Sequence, residues 1–91
     1  MVLILGYIHL ELPEVSSLKG RRAVLNGLKE QLKKRNLSVL DISGEYAKEA
    51  DIAFAFLSQD GRGAEQYKAH IEALLEKHIG HYPYSVEYEK F

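Results

Sequence analysis

From Val2 to Leu12 the chain alternates in character. Val2, Ile4, Gly6, Ile8, Leu10 and Leu12 fall on one side of an extended chain, and Leu3, Leu5, Tyr7, His9 and Glu11 on the other. A period of two with β-branched content predicts a strand. Pro13, which cannot donate to a ladder, ends it. The period then changes. Leu18, Val24, Leu25, Leu28 and Leu32 recur at helical spacing, with Ser16 or Ser17 placed to cap the free amides of a first turn. This predicts a helix from about Leu18 to Arg35, stopped at Asn36. Ala23 and Gly27, one turn apart, form a small-residue flank where another element could approach closely, which would explain a glycine inside a helix.

A second strand is predicted over Leu37 to Ser43, then a polar loop with one helical turn over Gly44 to Ala50, then a third strand from Asp51 to Ser58. In that third strand the bulky Ile52, Phe54 and Phe56 oppose the smaller set Ala53, Ala55 and Leu57; the bulky set, with more area to bury, is expected beneath the helices. Asp60 is placed to cap a second helix, Gly61 to Ile79, with the stripe Ala64, Tyr67, Ile71, Leu74 and Leu75 and Gly80 at its end. Alternation returns from Tyr82 to Tyr88, and Pro83 marks that strand as an edge. The order β-α-β-β-α-β, with two right-handed crossovers, predicts an α+β ferredoxin-like domain over residues 1–91. Its four-stranded antiparallel sheet carries both helices on one face. Ile4, Ile8, Leu10, Leu25, Leu28, Leu32, Phe54, Phe56, Ile71 and Leu74 are the expected core. The other sheet face then carries Leu3, Leu5, Tyr7, Ala53, Ala55 and Leu57, too apolar for open solvent. A homodimer or a protein partner is expected to cover it.

Composition adds exclusions. Ninety-one residues make one domain, no apolar run is long enough to cross a membrane, and the first residues lack the basic start and small-residue cleavage site of a signal peptide. The chain has 0 Cys, which removes thiolate chemistry and disulfides and fits a cytoplasmic setting. The formal net charge of −1 hides an uneven distribution. Between Ser16 and Leu37, seven basic residues face the single acid Glu30, for +6; the rest of the chain carries five basic and twelve acidic residues, for −7. Lys19, Arg22, Lys29, Lys33 and Lys34 share one arc of the first helix, opposite its apolar stripe, and so form a candidate strip for a phosphate backbone. The competing reading is a solvated, solubilising helix face. Arg21 falls inside the apolar stripe, where a charge must snorkel or pair with a carboxylate, so a structural ion pair is expected of it.

Ser17-Leu18-Lys19-Gly20-Arg21-Arg22 resembles the S-L-K-x-K-R signature of the small bacterial DUF503 (YlxP-like) family, and it follows a strand and a proline as it does there. Ser38-Val39 and the run Ala53-Phe54-Ala55-Phe56-Leu57-Ser58-Gln59-Asp60 are similar to that family's later strands, so the resemblance spans about residues 2–79. It implies a ferredoxin-like fold, no established enzymatic activity, and, from genes that sit beside translation factors, an RNA or ribosome partner. Lys19, Arg21 and Arg22 are the positions that carry over. The chain departs from the family where an L-W-Q-R-A-like stretch is replaced by Tyr46-Ala47-Lys48-Glu49-Ala50, and at the turn Asp60-Gly61-Arg62-Gly63.

Other chemistry is thin. The Asp60–Gly63 turn lacks a phosphate-loop pattern, and Asp60 is expected to occupy the helix amides itself. His9, His70, His78 and His81 show no metal-ligand spacing, and no cysteine is present to join them. Glu72 and Glu76 are paired by helix spacing without a cleft. Tyr7 and His9 offer an aromatic start, but the facing strand supplies only Ala53, Ala55 and Leu57, unlike base-stacking RNA modules. No metal, no cofactor and no enzymatic activity are expected. The sequence favours an RNA- or ribosome-associated accessory protein using Lys19, Arg21, Arg22, Lys29, Lys33 and Lys34. The alternative is a structural or regulatory interaction module, dimeric through the open sheet face. A small-ligand sensor is a third class, resting on fold analogy alone.

Overall fold

The computed structural model describes residues 1–91. Six elements follow in order: β1 (Val2–Glu11), α1 (Leu18–Lys33), β2 (Ser38–Asp41), β3 (Glu49–Ser58), α2 (Gly61–Ile79) and β4 (Tyr84–Lys90). The four strands form one antiparallel sheet in the order β2-β3-β1-β4, with the hairpin partners β2 and β3 on one side of the central β1.

The alternation in β1 and β3 decides which face is covered. Ile4, Ile8 and Leu10 of β1 and Ile52, Phe54 and Phe56 of β3 are all buried, and they share one core with Leu25, Leu28 and Leu32 of α1 and Ala64, Ile71, Leu74, Leu75 and Ile79 of α2. Both helices therefore lie on the same side of the sheet, and every expected core residue is buried. Tyr84, Val86 and Tyr88 extend this layer on β4, where the Tyr88 ring meets Phe54 edge-on at 6.2 Å between centroids. Gly6 sits opposite Phe54 in the β1–β3 register, and a side chain at Gly6 would occupy the space of the Phe54 ring. The glycine thus lets one strand's aromatic lie across its neighbour.

The helix ends follow their capping residues. Ser17 accepts from the Gly20 amide at 3.0 Å, and Asp60 accepts from the Gly63 amide at 2.7 Å. The Asp60 turn is thus occupied by its own carboxylate, as expected. Asn36 takes the left-handed conformation, φ 64°, and terminates the turn after α1.

Several boundaries shift from the sequence-based expectation, four of them by an amount that has a structural cause or consequence. α1 ends at Lys33, so Lys34 and Arg35 lie in the closing turn. β2 stops at Asp41 because the Ser43 amide donates to the Asp41 carboxylate at 2.9 Å, a side-chain turn that ends the ladder. β3 begins at Glu49, and the segment before it forms no helix. β4 begins at Tyr84 because Tyr82 is held in a turn against the Ile79 carbonyl. The approach expected at Ala23 and Gly27 does not occur. Both are exposed, and the space beside Gly27 is open.

Candidate functional site

α1 begins against its own dipole. Its first turn holds Lys19 and Arg21, with Arg22 directly after, and no acid, where positive charge is unfavourable. Helix stability therefore does not account for these cations. Lys19, Arg22, Lys33 and Lys34 are exposed along the outer arc of the helix, and none takes part in an ion pair. The strip read from the spacing is largely present, with two of the six candidates employed otherwise.

Lys29 is half-buried. It lies close enough to the Asp41 carboxylate to act on it: burial pushes that carboxyl up, but hydrogen bonds from Ser43 and the nearby Lys29 and Arg21 charges outweigh burial and hold it below the usual range. Arg21 is a correction. It pairs with no carboxylate. Its Nη1 donates to the backbone carbonyls of Tyr46 at 2.9 Å and Glu49 at 3.0 Å, which the segment leading into β3 turns toward the start of α1. Lys48 ties the same segment down by donating to the carbonyls of Pro13 and Val15, at 2.7 and 3.0 Å. Arg21 is structural, through carbonyls rather than an ion pair.

The second helix separates its charges by side. Glu72 and Glu76 turn toward β4, where they accept from the hydroxyls of Tyr88 at 3.1 Å and Tyr84 at 2.7 Å. The Tyr88 phenol is pushed far up, by burial first and then by Glu72. Lys68 lies over the Tyr88 ring, 4.6 Å from its centroid, and pairs with Glu65 at 3.0 Å. The opposite side of α2, with His70, Lys77 and His78, faces α1 across a groove that Arg35 and Gln31 complete. Of these groove residues the sequence drew attention only to His70 and His78, and to them as metal-ligand candidates rather than as part of a basic groove. The available signal was the helical phase of Arg35, Lys77, His70 and His78, since Arg35 and Lys77 fall on facing flanks once the two helices are known to be neighbours.

The open face carries the expected set in register: Leu3 opposite Leu57, Leu5 opposite Ala55, and Tyr7 opposite Ala53. Leu3 is 39% exposed and Leu57 64%; the other four are partly covered by their neighbours. Leu40 and Ile42 widen the patch beside β3, and Phe91, bonded to Leu3 in both directions, widens it beside β1. Alternation through Leu40 and Ile42 was the readable signal for the first two. On the β4 side the face becomes acidic, with Glu87 and Glu89; burial and the neighbouring Glu89 raise the Tyr7 phenol.

Across this face Asp51, His9 and Ser85 stand abreast on β3, β1 and β4. His9 Nδ1 and the Asp51 carboxylate are 2.8 Å apart. That hydrogen bond raises the His9 pKa against the opposing effect of burial, aided by the charges of Asp51, Glu49 and Glu11. The row resembles a nucleophile relay in composition, but only its His9–Asp51 half is hydrogen-bonded, and the Ser85 hydroxyl is not joined to His9. No cluster of His, Asp or Glu can hold a metal ion, and no helix is long and apolar enough to cross a membrane.

A small domain with one covered and one open sheet face, and charges segregated by flank, belongs to the ferredoxin-like α+β class. Within it, the DUF503 profile, described as a protein of unknown function, matches residues 3–87, so this chain is a member of the DUF503 family. None of the curated proteins is similar enough in sequence to count as a relative. Among solved structures the chain is similar to a de novo designed protein, Foldit4, at TM-score 0.56 and 13% identity over 97% of this chain and 94% of that one. It is also similar to a dimeric ferredoxin-like protein from an uncultured marine organism, at TM-score 0.52 and 13% identity over 98% and 92%. It further matches 19% of the flavoenzyme CrmK of caerulomycin biosynthesis, at TM-score 0.61 and 14% identity over 99% of this chain. At these identities the likeness is one of fold.

Proposed function

We propose that this protein is a non-catalytic, cytoplasmic RNA-binding accessory factor, with ribosomal RNA as its natural class of partner, and that it grips phosphate through the outer flank of α1. One observation carries the reading. Lys19, Arg22 and Lys33 of α1 and Lys34 at its C-cap stand exposed without a carboxylate partner, in a chain whose acids outnumber its bases. Contacts of this kind are sequence-tolerant, because lysines neutralise phosphates without reading bases.

The test is filter binding to single-stranded RNA across a range of salt. Affinity is expected to fall steeply, at about −0.7 in log–log slope per phosphate for single strands. Replacing Arg22 and Lys33 together by Gln is expected to lower that slope by about 1.4, alike for all RNA sequences, with an unchanged melting temperature because both side chains are exposed. RNA affinity absent at low salt, or unaltered by the double change, overturns the reading.

A second reading rests on a separate observation, the exposed Leu3, Leu40, Ile42 and Leu57 of the open sheet face. Such a patch supports self-association through that face, and the similar marine ferredoxin-like protein is described as dimeric. The two readings use opposite surfaces of the molecule and are compatible.

A further inference from the structure

We propose that the groove between α1 and α2 is a phosphate-binding site, distinct from the outer flank of α1, that takes the phosphate group of a nucleotide or of an RNA strand. The inference rests on the RNA reading only for the second of those two sources.

The groove comprises two adjoining depressions of about 370 and 230 Å³ that share Arg35 and His70. Gln31, Lys77 and His78 complete the larger one, and Tyr67 borders the smaller. No carboxylate lines either depression. That is unexpected by composition, since α2 itself carries three glutamates. Their helical phase puts all three on the far side of the helix, where Glu72 and Glu76 accept from the β4 tyrosine hydroxyls and Glu65 accepts from Lys68. Neither Arg35 nor Lys77 has an ion-pair partner, so both positive charges are available.

The site is also fixed in place. The Tyr67 hydroxyl donates to the Arg35 carbonyl, and the left-handed Asn36 turns the chain away immediately afterwards. The Tyr67 ring is itself held edge-on against Phe56, 4.8 Å between centroids. The backbone at Arg35 is therefore anchored to α2 at the mouth of the groove, while its guanidinium is exposed. Arg35 of the closing turn, Gln31 of α1 and His70, Lys77 and His78 of α2 thus line the larger depression together, a guanidinium, an amide, an ammonium and two imidazoles of the kind that bind a tetrahedral oxyanion.

The test is an amide-resolved NMR titration of the full chain with inorganic phosphate, with a nucleoside 5′-monophosphate and with a short oligouridylate. It is repeated on Arg35→Gln combined with Lys77→Gln, and on the outer-flank pair Arg22→Gln with Lys33→Gln. Shifts centred on Gln31, Arg35, His70 and Lys77, with at least fivefold weaker binding in the groove variant, support the proposal. If the mononucleotide suffices, the source is a free nucleotide; if only the oligomer acts, it is RNA. Binding of the mononucleotide at the groove without any RNA affinity supports this inference and overturns the proposed function. RNA binding weakened by the outer-flank pair and untouched by the groove pair, with no groove shifts from the mononucleotide or from inorganic phosphate, overturns this inference and leaves the proposed function standing. Absence of groove shifts with all three probes also overturns it. Both groove substitutions lie at exposed positions, so an unchanged melting temperature is expected to accompany each outcome.

Discussion

Gly6 is the residue on which the sheet's central packing turns. Any β-carbon there would enter the Phe54 ring, which is nearly fully buried and also packs on Tyr88. Gly6→Ala is therefore expected to destabilise the fold by about 1–3 kcal/mol, read as a lower urea midpoint, and Phe54→Leu in the same chain is expected to recover part of the loss. An unchanged midpoint in the single variant contradicts this packing. His9 carries a second prediction. Its pKa is raised in the folded protein, chiefly by the hydrogen bond to Asp51. The stability this adds is fully present below the unfolded value of about 6.5 and disappears as pH rises through the folded value. Melting curves from pH 5.5 to 8.5 are expected to show a loss on the alkaline side that is smaller in Asp51→Asn. Equal losses in both proteins would remove His9 as the source. The alternation of β1 places His9 on the open face, but its partner is legible only once β1 and β3 are paired with His9 opposite Asp51.

At the scale of elements, α2 has the bounds that its Asp60 cap, its stripe and Gly80 predict, and β1 differs from prediction by one residue. Long runs with one period leave a single choice. The region between α1 and β3 was less legible because its structure is set by contacts distant in sequence. β2 is cut short by the Asp41–Ser43 side-chain turn, and the following segment is held by Arg21 reaching from the first turn of α1 and by its own Lys48, which donates to the Pro13 and Val15 carbonyls. The helical phase of Arg21 correctly marked it as a charge near the core, but phase alone does not reveal whether a carboxylate or a carbonyl awaits it. Arg21→Gln is expected to lower stability by about 1–2 kcal/mol, since it removes charge-assisted bonds to two carbonyls. Faster hydrogen exchange is expected over residues 42–48 in particular. Exchange altered uniformly along the chain would contradict a local clamp.

The whole molecule has two unlike surfaces. One is the helical layer, and the other is a sheet face that is apolar over β2, β3 and β1 and acidic at β4. The sequence supplied most of this open face through strand parity. Leu40 and Ile42 lie within the predicted second strand, but their face is fixed only by the pairing of Leu40 with Ala53, and Phe91 lies beyond the predicted last strand. Leu57→Lys with Leu3→Lys is expected to turn a concentration-dependent sedimentation profile at micromolar protein into that of a monomer, without loss of fold, because both leucines are exposed. A wild-type protein that is monomeric throughout this range argues against self-association by this face.

The sorting of charge by flank gives this protein a field that its net charge conceals. At −1 overall it carries no bulk attraction for a polyanion. Yet Lys19, Arg22, Lys33 and Lys34 project from the helical layer, while Glu87 and Glu89 mark the far edge of the opposite face. Such a distribution acts as a dipole, and a dipole rotates before it makes contact. Beside a polyanion such a dipole would turn the outer flank of α1 inward and leave the leucines of the open face pointing away.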